Sequence, residues 1–114
     1  MTHDETRDEL ARMDEWTRIH EDTDTGRWRW KKTLRTGSVD KREDHPHPPT
    51  LDAANAAVPE GWTWLRVYKL PAELVWQAWR MAPYADVEVR DTGNPMADLY
   101  ALALACRRAM EERK

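Results

Sequence analysis

The sequence has no phenylalanine, a single cysteine and only four glycines among its 114 residues. With one thiol, Cys106, the chain cannot form an internal disulfide, which fits a reducing cytoplasm. The glycines stand apart at turns, so we find no glycine-rich phosphate loop. The longest apolar run, Leu99 to Cys106, is eight residues, too short to span a membrane. Residues 1–25 are acidic and lack the apolar core of a secretory signal.

Residues that could act as nucleophiles are equally scarce. Ser38 is the single serine, and Cys106 lies on the apolar side of a predicted helix, where a buried structural thiol is expected. The paired carboxylates near the N-terminus are explained by an exposed acidic helix. His45 and His47 have the spacing of two metal ligands, but no further residues complete a set of four. We therefore predict no enzymatic activity, no metal site and no cofactor.

Tryptophan, by contrast, occurs seven times. Six of the seven form spaced pairs: Trp28 and Trp30, Trp62 and Trp64, and Trp76 and Trp79. The first two pairs have the spacing of two that puts both rings on one face of a strand. The third pair has the spacing of three that puts both rings on one face of a helix. Because each buried indole removes roughly 150–250 Å² from water, the tryptophans predict a small hydrophobic core.

The hydrophobic pattern predicts one α+β domain over residues 1–114. The expected elements are a helix over 4–15, a strand over 27–34, a helix over 51–57, a strand over 62–70, a helix over 71–82, a strand over 84–90 and a last helix that begins at Pro95. Thr50 and Asn94 are expected to cap the helices that follow them, and the last helix has an apolar stripe at Met96, Leu99, Ala103, Cys106 and Met110. In the strand over 84–90, Asp86, Glu88 and Arg90 are expected to share one face. Residues 36–50 have no periodicity and are expected to form a long surface loop, open to partial disorder. The pattern does not decide whether residues 16–20 pair with the first strand. A small antiparallel sheet of three to four strands, packed with about four helices, makes a layered sandwich.

Charge is strongly segregated along the chain, although the net charge is only −3. Residues 1–25 hold the acidic candidates Asp4, Glu5, Asp8, Glu9, Asp14, Glu15, Glu21, Asp22 and Asp24. Residues 26–42 hold the basic candidates Arg27, Arg29, Lys31, Lys32, Arg35, Lys41 and Arg42. Such segregation indicates either a surface that faces a partner, or an acidic helix that lies against a basic strand and neutralises it.

The segment 27–32 alternates tryptophans with bases, a composition found in proteins that bind single-stranded nucleic acid. On a strand, however, the tryptophans share one face and most of the bases share the other. The indoles would then enter the core while the bases face solvent. The segment thus fits a core strand with a solvated face, a nucleic-acid-binding strand or a protein-binding strand.

Parts of the chain resemble small phage and prophage proteins that contain the so-called ABA-sandwich domain. The similar stretches are residues 51–54 (LDAA), 58–64 (VPEGWTW), the last helix at 95–106 and, more weakly, residues 10–16. Residues 27–44 and 45–50 depart from the family's pattern. The resemblance implies the fold and a phage origin. Its motifs are core and turn signatures, so it implies no site residues.

We therefore expect an accessory protein of a phage or mobile element that binds a host protein in the bacterial cytoplasm. The sharpest hypothesis is an inhibitor of a bacterial defence complex, of the anti-CRISPR type. CRISPR effectors present arginine-rich grooves that the acidic residues could occupy. The alternatives are a phage protein that binds nucleic acid through residues 27–42, and a structural or housekeeping protein of the virion. We expect a monomer, or a homodimer if a tryptophan pair is exposed, and no membrane partner.

Overall fold

The computed structural model describes residues 2–22 and 27–112, and for residues 20–22, 27, 28 and 112 it describes the backbone alone. The helices in this part of the chain are α1 (His3–Met13), α2 (Leu51–Ala57) and α3 (Pro95–Glu112). The strands are β1 (Thr17–Asp22), β2 (Arg27–Thr33), β3 (Val39–Arg42), β4 (Thr63–Lys69), β5 (Glu73–Met81) and β6 (Tyr84–Arg90).

The strands form two antiparallel sheets of three, in the orders β1-β2-β3 and β4-β5-β6. Helix α3 packs on β5 and β6, and both α1 and α2 pack on α3. The radius of gyration is 16.1 Å, against about 13 Å for a compact domain of this length. The α+β class is confirmed. In the described residues, however, three helices and two small sheets replace the expected four helices and single sheet.

The predicted helix over residues 71–82 is wrong, because Glu73–Met81 forms β5, the central strand of the second sheet. Strand β5 pairs with β4 on one side and with β6 on the other. This pairing satisfies the backbone on both sides and outweighs a weak helical spacing of apolar residues. As a result Trp76 and Trp79 lie on opposite faces of a strand. Trp76 is 6% exposed in the core, and Trp79 is half-buried on the other face.

The first sheet is more extensive than the sequence pattern indicated. Thr17–Asp22 pairs with β2 as a hairpin, which the pattern left undecided. The segment 36–50, expected as a loop, contains β3 from Val39 to Arg42. No residue of β3 is fully buried, so this strand has no apolar alternation by which it could be recognised.

Two hydrophobic clusters hold the described residues together. The main cluster joins all three helices to the inner face of the second sheet, and the smaller one joins Ala11, Trp16 and Trp30. The predicted stripe of α3 is confirmed: Leu99, Ala103 and Cys106 are buried, while Met96 and Met110 are half-buried against the main cluster. Burial raises the pKa of Cys106 to about 12, so its thiol stays protonated near neutral pH.

Side-chain caps fix the starts of α2 and α3 as the sequence predicts. Thr50 Oγ1 accepts the Ala53 N–H at 3.2 Å, and Asn94 Oδ1 accepts the Ala97 N–H at 3.3 Å. Each cap satisfies one of the four amide groups that have no partner within the helix. Among the helices described, none combines the length and the apolar character that crossing a membrane requires.

Candidate functional site

The acidic residues of α1 are largely engaged within the protein. Asp4 forms an ion pair with Arg7 at 3.2 Å, and Glu9 forms one with Arg12 at 3.1 Å. Both pairs have the spacing of three at which side chains meet on a helix surface. Asp4, Glu5 and Glu15 remain exposed. For Glu21 and Asp22 the structure gives only the backbone of β1, and Asp24 lies outside the described residues.

A polar network connects the segment after β3 to α1 and α3. It consists of Asp8, Asp14, His45, His47 and Arg107, and we call it the His–Asp network. His45 Nε2 lies 2.8 Å from Asp8 Oδ1, and His47 Nε2 lies 3.1 Å from Asp14 Oδ2. Arg107 Nη2 donates to Asp14 Oδ1 at 2.7 Å. Two of the predicted partner-binding acids, Asp8 and Asp14, therefore connect elements of the fold.

One of the two interpretations of the charge segregation was that the basic strand neutralises the acidic helix. None of the described ion pairs joins these two segments. The helix acids pair with arginines of α1, with the two histidines and with Arg107. Arg29 on β2 pairs instead with Glu43 at 3.2 Å, and Arg42 pairs with Asp40 within β3 at 3.4 Å. The two charged segments thus have separate partners in these pairs.

Hydrogen bonds assign the tautomer of His45. The His47 backbone N–H donates to His45 Nδ1 at 2.9 Å, so the ring proton lies on Nε2 and is donated to Asp8. Burial lowers the pKa of His45, and the hydrogen bond from His47 lowers the pKa of Asp14, with Arg107 acting in the same direction. In the described residues, no group of three or more His, Cys, Asp or Glu side chains could hold a metal ion.

The protein is expected to lose stability as the pH falls below the ordinary histidine pKa. Because the pKa of folded His45 lies below 6.5, the unfolded chain takes up this proton first, and the free energy of unfolding then decreases. His45→Asn keeps an acceptor for the His47 N–H but does not titrate. Urea unfolding at about pH 7.5 and about pH 5.5 measures the decrease in the free energy of unfolding between the two conditions, and this decrease should be smaller for the variant. Equal losses in both proteins would contradict the assignment.

The structure divides the predicted basic segment between two faces of the first sheet. Arg29, Lys31 and Lys41 lie on the outer side, where Lys31 stands directly opposite Lys41. Lys32 and Arg42 lie on the inner side, with their cationic groups 5.8 Å and 5.0 Å from the centre of the Trp16 ring. These distances favour cation–π contacts, so the last two bases help to pack the small cluster.

The other residues of the predicted basic segment include no exposed aromatic ring, among those whose side chains are described, on which a nucleic-acid base could stack. Trp30 is 5% exposed, and its ring centre lies 4.7 Å from that of His45. Arg35 is exposed between β2 and β3. Arg27 and Trp28 have only their backbone described. Because proteins that bind single strands stack bases on accessible aromatic rings, the buried Trp30 favours a core strand with a solvated basic face.

The second sheet has a face that no helix covers in the described part of the chain. Helix α3 packs on the side that carries Trp76, Ala78 and Ala85. The strand register places the following side chains together on the opposite side, which we call the outer face: Thr63, Leu65, Val67, Lys69, Glu73, Val75, Gln77, Trp79, Met81, Tyr84, Asp86, Glu88 and Arg90. Met81 is 75% exposed and Leu65 42% exposed.

A shallow hollow of about 480 Å³ lies on this sheet and is lined on the outer face by Gln77, Trp79, Tyr84, Asp86 and Glu88. Tyr84 Oη donates to Asp86 Oδ2 at 3.1 Å, which raises the pKa of Tyr84. Gln77 Nε2 donates to Glu88 Oε2 at 3.0 Å and lowers the pKa of that carboxyl. Lys69 Nζ also donates to Glu88 Oε2 at 3.0 Å, so this carboxylate already has a cation. The hollow thus combines two aromatic rings with the carboxylate of Asp86, which is the chemistry that binds a guanidinium or ammonium group.

Sequence reasoning missed this site because it read residues 71–82 as a helix. The alternation of β6 did predict that Asp86 and Glu88 share a face. Only a strand at residues 73–81 brings Gln77 and Trp79 beside them, since the register sets Gln77 opposite Glu88 and Trp79 opposite Asp86. Val75, Trp76 and Trp79, residue types that are common in strands, were the available signal.

The resemblance to phage ABA-sandwich proteins rests on residues that form α2, the start of β4 and α3. Ala54, Trp62 and Leu99 of the similar stretches belong to the main hydrophobic cluster, which is a matter of core packing and does not test the resemblance. The resemblance therefore stays a prediction about fold and origin. Comparison of the chain with family models, with curated proteins and with solved structures finds no match.

Proposed function

We propose that the protein acts by binding another protein, and that it is a phage-type accessory protein that inhibits a bacterial defence complex. The observation that carries the binding role is the uncovered outer face of the second sheet. Leu65, Met81 and Tyr84 are exposed there, beside the acidic hollow. Contiguous apolar side chains bordered by polar groups are typical of protein interaction sites.

The chemistry of the hollow supports a partner with exposed arginines. A guanidinium can stack on Trp79 or Tyr84 while it donates a hydrogen bond to Asp86. Arginine and aromatic residues are the side chains most often found at the energetic centre of an interface. An arginine-rich groove of a protein that handles nucleic acid has this composition. The exposed acids of α1 add negative charge that would assist the approach to such a groove.

Nucleic-acid binding is the second candidate, and the outer side of the first sheet favours it. Arg29, Lys31 and Lys41 share that side, and two of them stand directly opposite each other. Basic side chains in such an arrangement bind phosphates without sequence preference. The mark of this function would be an affinity that falls steeply as the salt concentration rises.

The first experiment is affinity capture from lysates of bacteria that carry defence systems, with and without nuclease, followed by mass spectrometry. We expect a stoichiometric protein partner that survives nuclease treatment. Tyr84→Ala combined with Asp86→Lys should reduce its recovery by about tenfold, since one hot-spot contact is worth about 1.4 kcal/mol or more. Glu60→Lys is the matched control, because it makes the same charge reversal at an exposed residue outside the outer face.

Three results would overturn all or part of the proposal. Unchanged recovery by the double variant would remove the outer face from the interaction, and Asp4→Lys with Glu5→Lys would then test the exposed acids of α1. Partners that vanish with nuclease, and that Arg29→Glu with Lys31→Glu abolishes, would move the function to the first sheet. A partner that is no component of a defence system would leave the binding role and exclude inhibition of defence.

A further inference from the structure

Strand β4 lies at one edge of the second sheet, where β5 pairs with one side of it. No strand in the described residues pairs with its other side. An edge strand presents backbone N–H and C=O groups that can pair with a further strand. Natural proteins usually protect such edges with charge, proline, bulges or covering elements. The two edges of this sheet differ in that protection.

Both edges carry charge, but β4 carries fewer charges than β6, namely Arg66 and Lys69, and it also has exposed apolar residues on both of its faces. Asp86, Glu88 and Arg90 alternate along the outer face of β6. On β4, Leu65 is 42% exposed on the outer face and Tyr68 is 60% exposed on the other. Strand β4 therefore presents apolar side chains on both faces beside backbone groups with which a further strand can pair.

The sequence of β4 reads alike in both directions when its residues are sorted by class. From Thr63 to Lys69 the order is polar, aromatic, aliphatic, arginine, aliphatic, aromatic, polar: Thr63, Trp64, Leu65, Arg66, Val67, Tyr68, Lys69. In a two-fold symmetric contact, residue i of one copy meets residue j of the other and j meets i. Antiparallel pairing centred on Arg66 would set Trp64 against Tyr68 and Leu65 against Val67. Such aromatic and aliphatic cross-strand pairs stabilise sheets.

In this pairing the two Arg66 side chains would meet at the symmetry axis, and each already has a counter-charge within its own chain. Arg66 Nε donates to Asp91 Oδ2, whose side chain is only 6% exposed. The guanidinium also lies 5.8 Å from the centre of the Trp76 ring. These contacts hold the guanidinium near Asp91 and Trp76 of its own chain. The repulsion between like charges at the axis is reduced accordingly.

We propose that β4 pairs with β4 of a second copy of this chain, so that the two second sheets form one antiparallel sheet of six strands. The chain exposes 7682 Å², against about 6,500 Å² for a compact monomer of its mass. The excess, on the order of 1,000 Å² over the whole chain, is large enough to include the ~800 Å² that each partner buries in a stable interface. Pairing at the edge leaves the outer face open, so the dimer is independent of the proposed function.

Sedimentation equilibrium of the purified chain tests the dimer. We expect twice the 13.4 kDa chain mass at micromolar concentration. Tyr68→Lys should weaken self-association by about tenfold or more, because it sets a charge against Trp64 of the second copy. The matched control, Leu51→Lys, changes a leucine that is 53% exposed on α2 and should leave the mass unchanged. A chain that stays monomeric at about 1 mM would overturn the proposal, as would a monomer that gains mass only with a captured host protein.

Cysteine cross-linking tests the register without changing the fold. Leu65→Cys with Val67→Cys should give a disulfide-linked dimer on mild oxidation, while Asp86→Cys with Glu88→Cys on the β6 edge should not. The native Cys106 is buried with a raised pKa, so it stays unreactive. Equal cross-linking at both edges would contradict pairing through β4. Tyr68→Lys should retain partner capture and Asp86→Lys should retain the dimer, which separates failure of this inference from failure of the proposed function.

Discussion

Replacement of Asp98 by alanine is expected to destabilise the protein by about 2–4 kcal/mol. Asp98 lies in the first turn of α3 and is 2% exposed. Its carboxylate accepts the Trp76 indole N–H at 3.1 Å and the Thr92 backbone N–H at 3.0 Å. It also accepts the Thr92 hydroxyl at 2.5 Å. The substitution leaves the buried Trp76 indole N–H without this partner, at a cost of about 1–3 kcal/mol. The two Thr92 donors belong to an exposed residue, so water replaces the carboxylate there at a smaller cost.

Urea unfolding followed by circular dichroism measures this loss, with Asp52→Ala as the control. Asp52 is an exposed aspartate in the first turn of α2, so its removal should cost only about 0.3–1 kcal/mol of helix-dipole interaction. The loss of stability in Asp98→Asn should lie between those of Asp98→Ala and Asp52→Ala, because the amide oxygen still accepts one of the three hydrogen bonds. An Asp98→Ala loss no larger than that of the control would show that the carboxylate does not hold α3 to the second sheet.

Replacement of Trp30 by alanine is expected to cost about 3–5 kcal/mol and to release the first sheet from the rest of the protein. Trp30 is 5% exposed and belongs to the small cluster that joins β2 to α1. The main cluster contains no residue of the first sheet among those described. Loss of the indole therefore removes the principal apolar contact of β1–β3 and leaves the core around α3 intact.

Amide hydrogen exchange distinguishes this local release from global unfolding. Amides of β1–β3 should exchange faster in Trp30→Ala, whereas those of β5 and α3 should keep their protection. Trp79→Ala is the matched control, since it removes an indole that is half-buried on the outer face. Uniform acceleration across both sheets would show that the two clusters unfold as one unit.

The parts of the fold that the sequence predicted correctly depend on local signals. The caps at Thr50 and Asn94 and the stripe of α3 involve residues a few positions apart, and the structure has them as expected. The alternation of β4 and β6 is equally local. The helical spacing of Val75, Ala78 and Trp79 led to the wrong prediction of a helix. The conformation of a segment that pairs with a strand on each side is determined by that pairing more than by the spacing of its own apolar residues.

The candidate site could be predicted only in part for the same reason. Asp86 and Glu88 were expected to share a face, but their neighbours Gln77 and Trp79 come from a strand that was read as a helix. The spacing of His45 and His47 drew attention to a real feature. Their partners Asp8 and Asp14 lie 37 and 33 residues away, a separation that no local pattern can reveal.

The connections between the two ends of the chain set the order in which it can fold during synthesis. Asp14 and Arg107 are 93 residues apart, and Tyr100 donates its hydroxyl to the Pro48 carbonyl across 52 residues. Helix α1 packs on α3, so its buried Leu10 has no cover until α3 has emerged from the ribosome. The hairpins of the second sheet need only neighbouring residues and can form earlier. Of the two sides of α1, the one that carries Ala11 can therefore pack on Trp30 early, whereas the one that carries Leu10 is buried only after α3 is made.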